Sequence, residues 1–336
     1  MHASPRLRTI VEAAGLLLLR VTLFPFPPRW ASLLGAGMGW LLFTVFRLER
    51  SLTLENLAFA FGDTYTPRER LRIASRCYRH FGAVITEFLT LPRLPPGRLD
   101  DYIELDNREV LDAELQRGRG VLIATGHLGN WELMGSAIAA KGYAFSAYGG
   151  QQHNLLADAF LNAVRRRMGM AIVPKRTAML GMVRALKGNR VLTILSDQHF
   201  SRNSHFVRFF GRPVSTAPGL GTLVRHCKTA LVFAETHKTG RFRYRTRFIP
   251  LRVPTPSGDE ELDLLRITQQ FMDALEAAVR RHPEQYFWMH RRWRPPPTDE
   301  QLSATNRAFL AGDGPRALGG ASPSRKAGGT PGKGVP

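Results

Sequence analysis

Residues 126–132 read GHLGNWE and join a predicted strand to a predicted helix. The preceding residues Val121–Thr125 (VLIAT) are apolar and rich in branched side chains, which predicts a strand buried on both faces. The residues that follow, Trp131–Ala140, have helical composition, and Asn130 is placed to cap that helix. We therefore expect His127 in the turn at the carboxyl end of a parallel strand, where open α/β sheets bind their ligands.

Two side chains of this segment suit the attack of an alcohol on a thioester. An imidazole with a pKa near neutrality can take the proton of the alcohol, and a carboxylate can hold the ring in the required tautomer. His127 is the candidate base, and Glu132 is the carboxylate expected to orient it. Gly126 and Gly129 keep β-carbons out of the turn, so a substrate could approach the backbone closely.

The spacing of His127 and Glu132 is not specific by itself. The chain has 10 histidines and 27 acidic residues among 336, so about one match of this spacing is expected by chance. The structural alternative is a capping Asn130, a buried Trp131 and a histidine that is hydrogen-bonded in a tight turn.

Composition narrows the classes of partner. The chain has 47 basic and 27 acidic residues, a formal net charge of +20, which favours nucleic acid, anionic lipid headgroups or an acidic protein as partners. Cys77 and Cys227 lie far apart without metal-ligand spacing, so we expect them to be reduced and structural. The length allows one large domain or two ordinary ones.

The first 50 residues favour a membrane over nucleic acid. Residues 30–46 carry no charge and would form a helix roughly 25 Å long, which is short for a membrane span and long for a soluble helix. Residues 10–26 are also apolar, and no cleavage signature follows them. Either the two segments are core helices, or they enter or lie in the bilayer interface, and we favour the second interpretation.

Strand and helix patterns alternate between residues 100 and 250, which predicts an α/β fold with a mostly parallel central sheet flanked by helices. The last two strands are expected to form an antiparallel hairpin. We divide the chain into membrane-associating helices (1–50), a main domain (51–310) and a disordered basic tail (311–336). A capping box at Thr66 and Glu69 starts a helix that runs to about Leu89, and Glu87 in it is expected to be solvated or locally paired.

Other polar and aromatic groups fall near the predicted strand ends. Asp197 and Gln198 follow an apolar strand as His127 does, which places a carboxylate at the same sheet edge. The arginines at 165–167 either form a solvated helix end or meet a phosphate or oxyanion. Two aromatic segments also stand out: residues 209–219 line an acyl channel or close the core, and residues 286–293 suit a membrane interface or a stacking surface.

Five segments together resemble the bacterial lipid A biosynthesis acyltransferase family. They occur in the order and spacing of that family and cover most of the chain: GHLGNWE at 126–132, DQ at 197–198, FFG at 209–211, STAPG at 215–219 and PEQYFWMHRRW at 283–293. The resemblance implies an inner-membrane enzyme that moves a fatty acyl chain from acyl carrier protein to a hydroxyl of a lipid A precursor. The family's histidine and acid dyad falls on His127 and Glu132, and its arginine matches Arg165, although three successive arginines leave that register open.

The full expectation is a metal-free and cofactor-free O-acyltransferase at the cytoplasmic face of the bacterial inner membrane. We expect substrate contacts from Asn130, Arg165, Asp197 and Gln198. Acyl carrier protein, anionic lipids and the lipid A precursor are the expected partners, and nucleic acid is not. A related branch of the family acylates phosphatidylinositol mannosides, so another glycolipid or phospholipid acceptor stays open. The alternative of another class is a non-catalytic basic lipid-binding membrane protein.

Overall fold

A seven-stranded sheet, with strand order β1-β9-β8-β2-β5-β3-β4, runs through the middle of the protein. The computed structural model describes residues 14–15, 17–148, 154–201, 204–293 and 297–312. The predicted disorder of the carboxyl-terminal tail falls on residues 313–336, outside the described residues. The strands of the sheet are β1 (Ile103–Asp106), β2 (Val121–Thr125), β3 (Phe145–Tyr148), β4 (Ala171–Ile172), β5 (Val191–Leu195), β8 (Ala230–Gly240) and β9 (Arg243–Leu251).

The direction of the strands confirms the predicted architecture. β2 pairs in parallel with β5 and β8, and β3 pairs in parallel with β4 and β5. β8 and β9 form the expected antiparallel hairpin, and β1 lies parallel to β9 at the edge of the sheet. The short strand β1 was not predicted from the sequence.

Ten α-helices with defined bounds accompany the sheet in the described part of the chain, besides a helical stretch at residues 17–23. They are α1 (Pro28–Thr44), α2 (Arg50–Phe61), α3 (Pro67–Thr90), α4 (Glu109–Gln116), α5 (Trp131–Ala140), α6 (Leu155–Arg167), α7 (Ala178–Lys187), α8 (Gly219–Cys227), α9 (Glu260–Arg281) and α10 (Ala304–Ala311). Residues 17–23 are also helical and precede α1. Thr66 begins α3 with the predicted capping box, in which the hydroxyl of Thr66 accepts from the backbone of Glu69 and the Glu69 carboxylate accepts from the backbone of Thr66.

The central strand β2 is buried on both faces, as its continuous apolar sequence predicts. Leu122 and Ala124 belong to a core cluster that includes residues of α9, while Val121 and Ile123 belong to a second cluster that includes residues of α5. The alternation follows from the two-residue period of a strand, so helices cover the sheet on both sides.

Helix α1 packs against α3 through glycines. A β-carbon on Gly35 would lie 2.3 Å from the backbone oxygen of Gly82, and one on Gly39 would lie 2.0 Å from the backbone oxygen of Tyr78. Neither position can carry a side chain without moving the two backbones apart, so this close approach requires glycine. The apolar segment of residues 30–46 is therefore packed into the fold on one side.

The other side of α1 is exposed and apolar. Trp30 and Trp40 in the helix, and Val45 and Phe46 just after it, are between 45% and 65% exposed. No helix among the described residues has the length and apolarity of a membrane span.

A small antiparallel hairpin of β6 (His205–Phe209) and β7 (Arg212–Thr216) lies outside the main sheet. Phe210 and Gly211 form its turn, both with positive φ, at 51° and 71°. Phe209 and Phe210 are buried in the core cluster that includes α9. The sequence left open whether this aromatic segment lines an acyl channel or closes the core, and the structure shows that the two phenylalanines close the core.

Candidate active site

His127 and Asp197 meet at the carboxyl edge of the sheet. β2 and β5 are parallel neighbours with Thr125 beside Leu195, so the turns that leave them lie side by side. The Nδ1 atom of His127 lies 2.8 Å from Oδ1 of Asp197, and the backbone N–H of His127 donates to Oδ2 of Asp197 at 2.8 Å. The predicted placement of Asp197 at the edge that carries His127 is confirmed.

The protonation of this pair follows from the environment of Asp197. Burial alone would raise the pKa of Asp197, but attraction to His127, the two hydrogen bonds from His127 and the charge of Arg292 hold it below its ordinary value. An ionised carboxylate only accepts hydrogen bonds, so Nδ1 of His127 carries a proton, and in the neutral ring the lone pair is on Nε2, which faces the amide nitrogen of Gln198 at 3.4 Å. The His127 side chain is 21% exposed and that of Asp197 only 2%, so the base is open to a substrate while its partner is buried.

Glu132 does not orient the His127 ring, which corrects the sequence-based assignment. Both carboxylate oxygens of Glu132 accept from Nε of Arg165, at 3.1 and 3.0 Å, and Oε1 also accepts from Nη2 at 2.5 Å. The physical reason is that Glu132 lies in the first turn of α5, where its side chain faces the end of α6. Arg165 is therefore the inward member of the three arginines, and Arg166 and Arg167 are exposed.

Arg165 was expected to contact substrate, but in the structure its guanidinium is engaged within the protein. Besides Glu132, it donates from Nη1 to Asn162 at 2.8 Å, and it lies 5.7 Å from the ring of Phe88. Burial lowers the pKa of Arg165, but the charge of Glu132 and the hydrogen bonds to it raise the pKa above its ordinary value overall. The pair joins the start of α5 to α6 behind the His127 turn.

Asn130 caps α5 as predicted, by accepting from the backbone N–H of Leu133 at 3.0 Å. Its side chain is fully buried, which contradicts the expected substrate contact. The amide nitrogen of Asn130 donates to Oε2 of Glu87 at 3.0 Å. The capping residue of the His127 turn is thus tied to α3 and faces away from solvent.

Glu87 was expected to be solvated or locally paired, and it is completely buried. It accepts four hydrogen bonds from residues distant in sequence: Ser32, Asn130, Lys238 and Tyr244. The lysine ammonium lies 3.0 Å from Oε1 and forms an ion pair. Burial and the adjacent carboxylate raise the pKa of Tyr244 well above its ordinary value, so its hydroxyl stays a donor. A buried carboxylate therefore joins α1, α3, the His127 turn and the β8–β9 hairpin.

The aromatic segment that follows α9 holds the His127 turn through backbone hydrogen bonds. The backbone N–H of Phe287 donates to the carbonyl of His127 at 3.0 Å, and the N–H of Gly129 donates to the carbonyl of Gln285 at 3.0 Å. Tyr286 and Trp288 are 3% and 1% exposed. These two aromatic side chains therefore belong to the core, whereas Arg291 of the same segment is exposed.

Arg292 is a buried residue of the site to which the sequence analysis gave no role. It is 2% exposed and donates to the carbonyl of Ser215 at 2.6 Å and to the hydroxyl of Thr216 at 3.2 Å. Its charge helps to keep Asp197 ionised. The only sequence signal was its place in the segment PEQYFWMHRRW, which marked the segment without distinguishing its residues.

The glycines of the turn allow other parts of the protein to pack closely against its backbone. A β-carbon on Gly129, whose φ is +64°, would lie 2.1 Å from the backbone oxygen of Thr236 in β8. A β-carbon on Gly126 would lie 2.7 Å from Leu275 and 3.1 Å from Oδ2 of Asp197. The turn needs glycine because it packs on β8 and beside Asp197. The sequence analysis had instead expected these glycines to let a substrate approach the backbone.

Gln198 is the expected substrate residue that lies nearest the base. Its side chain is exposed, and its Nε2 atom lies 3.4 Å from Nε2 of His127. Asp197 was also expected to contact the substrate, but it is instead hydrogen-bonded to His127 and holds its ring in position. A hydroxyl that approaches Nε2 of His127 would pass beside the Gln198 amide.

Glu235, His237 and His282 form one group of possible metal ligands in the described residues. Both oxygens of Glu235 already accept from Arg281, at 3.0 and 2.7 Å. A guanidinium on the carboxylate opposes a bound cation, because like charges would adjoin. We give this group no part in the site.

Comparison with known proteins agrees with the geometry. Residues 1–295 match the model of the family described as bacterial lipid A biosynthesis acyltransferase. The chain belongs to this family. It is accordingly an acyltransferase.

Relatives within and around the family are distant in sequence but similar in length. The lipid A biosynthesis palmitoleoyltransferase of Escherichia coli (strain K12) is 25% identical over 290 residues, which cover 85% of this chain and 91% of that protein. The lipid A biosynthesis lauroyltransferase of the same organism is 26% identical over 288 residues, covering 84% and 90%. A phosphatidylinositol mannoside acyltransferase of Mycobacterium tuberculosis (strain CDC 1551 / Oshkosh) is 24% identical over 237 residues, covering 68% and 71%.

Proposed function

We propose that this acyltransferase is membrane-associated and moves a fatty acyl chain from acyl carrier protein to a hydroxyl of a lipid A precursor. The observation that carries the proposal is the pair of His127 and Asp197, in which a buried ionised carboxylate holds Nδ1 of a partly exposed imidazole and leaves Nε2 on the open side of the ring. This is the arrangement that general-base activation of an alcohol needs.

In the proposed reaction, Nε2 of His127 takes the proton of the acceptor hydroxyl while the oxygen attacks the thioester carbonyl. The tetrahedral intermediate then collapses with cleavage of the carbon–sulfur bond, and the imidazolium returns the proton to the departing thiolate. Asp197 stabilises the imidazolium in both steps through the 2.8 Å contact with Nδ1. Gln198 supports the proposal as a residue placed to contact the acceptor hydroxyl or the thioester oxygen beside the base.

Exposed apolar side chains near the same sheet edge favour a lipid substrate. Five large apolar residues between 41% and 60% exposed lie at the starts of α6 and α7 and just after β5: Leu155, Leu156, Met179, Leu180 and Phe200. All three places follow the carboxyl ends of parallel strands, which is also where His127 lies. Exposed apolar groups gathered around a reactive site suit an acyl chain or a bilayer better than a water-soluble substrate.

The exposed side of α1 supports membrane association. Its tryptophans and aliphatic residues would lie in the bilayer interface while its glycine side stays on α3. The net charge of +20 would draw the protein to the anionic cytoplasmic leaflet and to an acidic carrier protein. The inner membrane is therefore the proposed location.

The names of the relatives support two acceptor classes. Two of them act in lipid A biosynthesis, and one acts on phosphatidylinositol mannosides. We favour the lipid A precursor because the family match covers residues 1–295 and the lipid A relatives cover more of the chain. A phosphatidylinositol mannoside is the second candidate.

Mass spectrometry of total lipids tests the proposal. Cells that express the wild type, His127→Ala or no protein are compared, and the wild type should add one acyl chain to lipid A or its precursor. A mass gain on a phosphatidylinositol mannoside would select the second candidate. An identical lipid profile in all three strains, with the protein present in the membrane fraction, would contradict the proposal and favour a non-catalytic lipid-binding protein.

A further inference from the structure

A basic pocket lies between the first turns of α1 and the tip of the β8–β9 hairpin. It has a volume of about 430 Å³ and is lined by Arg29, Trp30, Leu33, Arg241 and Arg243. Arg241 lies in the turn of the hairpin, Arg243 is the first residue of β9, and Arg29 lies in the first turn of α1. We call this feature the hairpin pocket, and it is separate from the residues of the His127 site.

The three arginines of the hairpin pocket have no counter-charge among the residues that the structure describes. No acidic residue is among the described residues that line the pocket. Within the described ranges, none of the three guanidinium groups forms an ion pair or a hydrogen bond with another residue, although Arg245 two positions on is paired with Glu104 and Asp106. Three converging cations without a partner are suited to a phosphate group, which can accept from several guanidinium groups at once.

The buried Glu87 network holds the two walls of the pocket together. Ser32, one turn after Arg29 in α1, donates to Glu87 at 2.6 Å. Tyr244, next to Arg243 in β9, donates to the same carboxylate at 2.6 Å. The three arginines are exposed at the surface, but residues close to Arg29 and Arg243 are held by the fully buried Glu87 carboxylate. The pocket is therefore a built feature and not a chance proximity of flexible side chains.

The two apolar residues that line the pocket, Trp30 and Leu33, indicate that it lies at a membrane surface. Trp30 is 59% exposed and Leu33 is 36% exposed, and both continue into the exposed apolar side of α1. Tryptophan beside arginine is typical of the headgroup level of a membrane, where the ring and the charge each find a suitable environment. The positive end of the α1 dipole adds to the attraction of an anion.

We propose that the hairpin pocket binds the phosphate headgroup of an anionic phospholipid in the bilayer. This inference rests on the membrane association in the proposed function and adds a headgroup site to it. Binding there would fix the depth and rotation of α1, and hence the position of the His127 site above the bilayer.

Vesicle sedimentation with the purified full chain tests the inference. Wild type is compared with a triple variant, Arg29→Gln, Arg241→Gln and Arg243→Gln, on vesicles of phosphatidylcholine alone and of phosphatidylcholine with phosphatidylglycerol. The matched control removes the same charge at the opposite edge of the sheet, with Arg119→Gln, Arg184→Gln and Lys187→Gln. These residues are exposed and precede β2 and β5. All proteins carry the same apolar surface.

The triple variant should lose affinity for the anionic vesicles by about tenfold or more, since each cation near an anionic surface contributes roughly fivefold. The control should stay within about twofold of wild type, and binding to phosphatidylcholine should be equal for all three. Equal losses in the triple variant and the control would overturn the headgroup site.

Two further outcomes separate this inference from the proposed function. Unchanged vesicle binding with slower transfer from acyl carrier protein to a detergent-dispersed acceptor would mean that the pocket binds the acidic carrier, which would overturn the inference. If wild type sediments with neither vesicle, both the membrane association and the headgroup site fail. Transfer to the detergent-dispersed acceptor then shows independently whether the acyltransferase chemistry stands.

Discussion

Replacing Asp197 by asparagine removes one charge and almost no volume from the candidate site. In the wild type, the two carboxylate oxygens of Asp197 each accept a hydrogen bond from His127 at 2.8 Å, one from the backbone and one from Nδ1. An amide has only one oxygen, so one of these donors must face an NH₂ group. If the amide oxygen keeps the backbone contact, the NH₂ faces Nδ1 and favours the tautomer in which Nε2 carries the proton.

The wrong tautomer places a proton where the base needs a lone pair. The variant also loses the negative charge that stabilises the imidazolium. General-base contributions are about 10²–10⁴-fold, and loss of the orienting carboxylate from a comparable pair reaches roughly 10⁴ in turnover. We therefore expect Asp197→Asn to lower the turnover number by about 10²–10⁴, which corresponds to about 3–5 kcal/mol in activation free energy.

The assay is transfer of a radiolabelled acyl chain from acyl carrier protein to a detergent-dispersed acceptor, with both substrates saturating. Circular dichroism and the urea unfolding midpoint check the fold of the variant. Glu132→Gln, measured in parallel, should retain more activity than Asp197→Asn, since Glu132 contacts Arg165 and not the His127 ring. Activity of Asp197→Asn within about threefold of wild type would refute the reasoning, because that factor is under about 1 kcal/mol.

Three further predictions concern stability. Glu132→Gln should lower the free energy of unfolding by about 3 kcal/mol or more, because it leaves the largely buried Arg165 without its counter-charge, and urea unfolding measures this. Gly39→Ala should destabilise the protein by about 1–3 kcal/mol, because the new β-carbon would clash with the Tyr78 carbonyl. The matched control Gly37→Ala has open space around the new β-carbon and should be neutral or stabilising. Equal melting temperatures of the two variants would contradict this prediction. Burial lowers the pKa of His80 to about 3, so the free energy of unfolding should fall as the pH drops below about 6.5, by up to about 1.4 kcal/mol per pH unit. In His80→Gln, the free energy of unfolding from urea titrations should depend less on pH between about 6.5 and 3.

Much of the sheet and most of the helices could be predicted from the sequence. The strands of the α/β region have apolar sequences rich in branched residues, and helices α3 and α5 begin with the capping residues Thr66 and Asn130. These signals are local, so a single sequence contains them. The short strand β1 and helix α4 lack strong signals of this kind and were missed.

The partner of His127 depends on which strands are neighbours, and spacing along the chain does not report that. Glu132 is close to His127 in sequence, yet its side chain points to the end of α6. Asp197 lies 70 residues away, but β5 is the direct parallel neighbour of β2, which brings the two turns together. The sequence predicted that Asp197 shares an edge with His127, and only the strand order shows that they touch.

The buried polar network was beyond sequence reasoning for a similar reason. Glu87 is near the end of an amphipathic helix, where an exposed carboxylate is the usual outcome. Its partners lie on α1, in the His127 turn and in the β8–β9 hairpin, and nothing in the local pattern of α3 connects them. The fit of α1 against α3 likewise depends on Gly35 and Gly39 meeting Gly82 in three dimensions. Deletion of residues 1–47 would thus remove a packed element of the fold together with the apolar surface.

The rate of acyl transfer by purified His127→Ala tests the central claim most directly. The variant is compared with wild type in the detergent-based transfer assay, and the product is identified by mass spectrometry. We predict a loss of at least about 10²–10⁴-fold in turnover by a variant that still folds and binds vesicles as the wild type does, because the base has been removed. A wild-type rate of product formation by a folded His127→Ala variant would contradict the account.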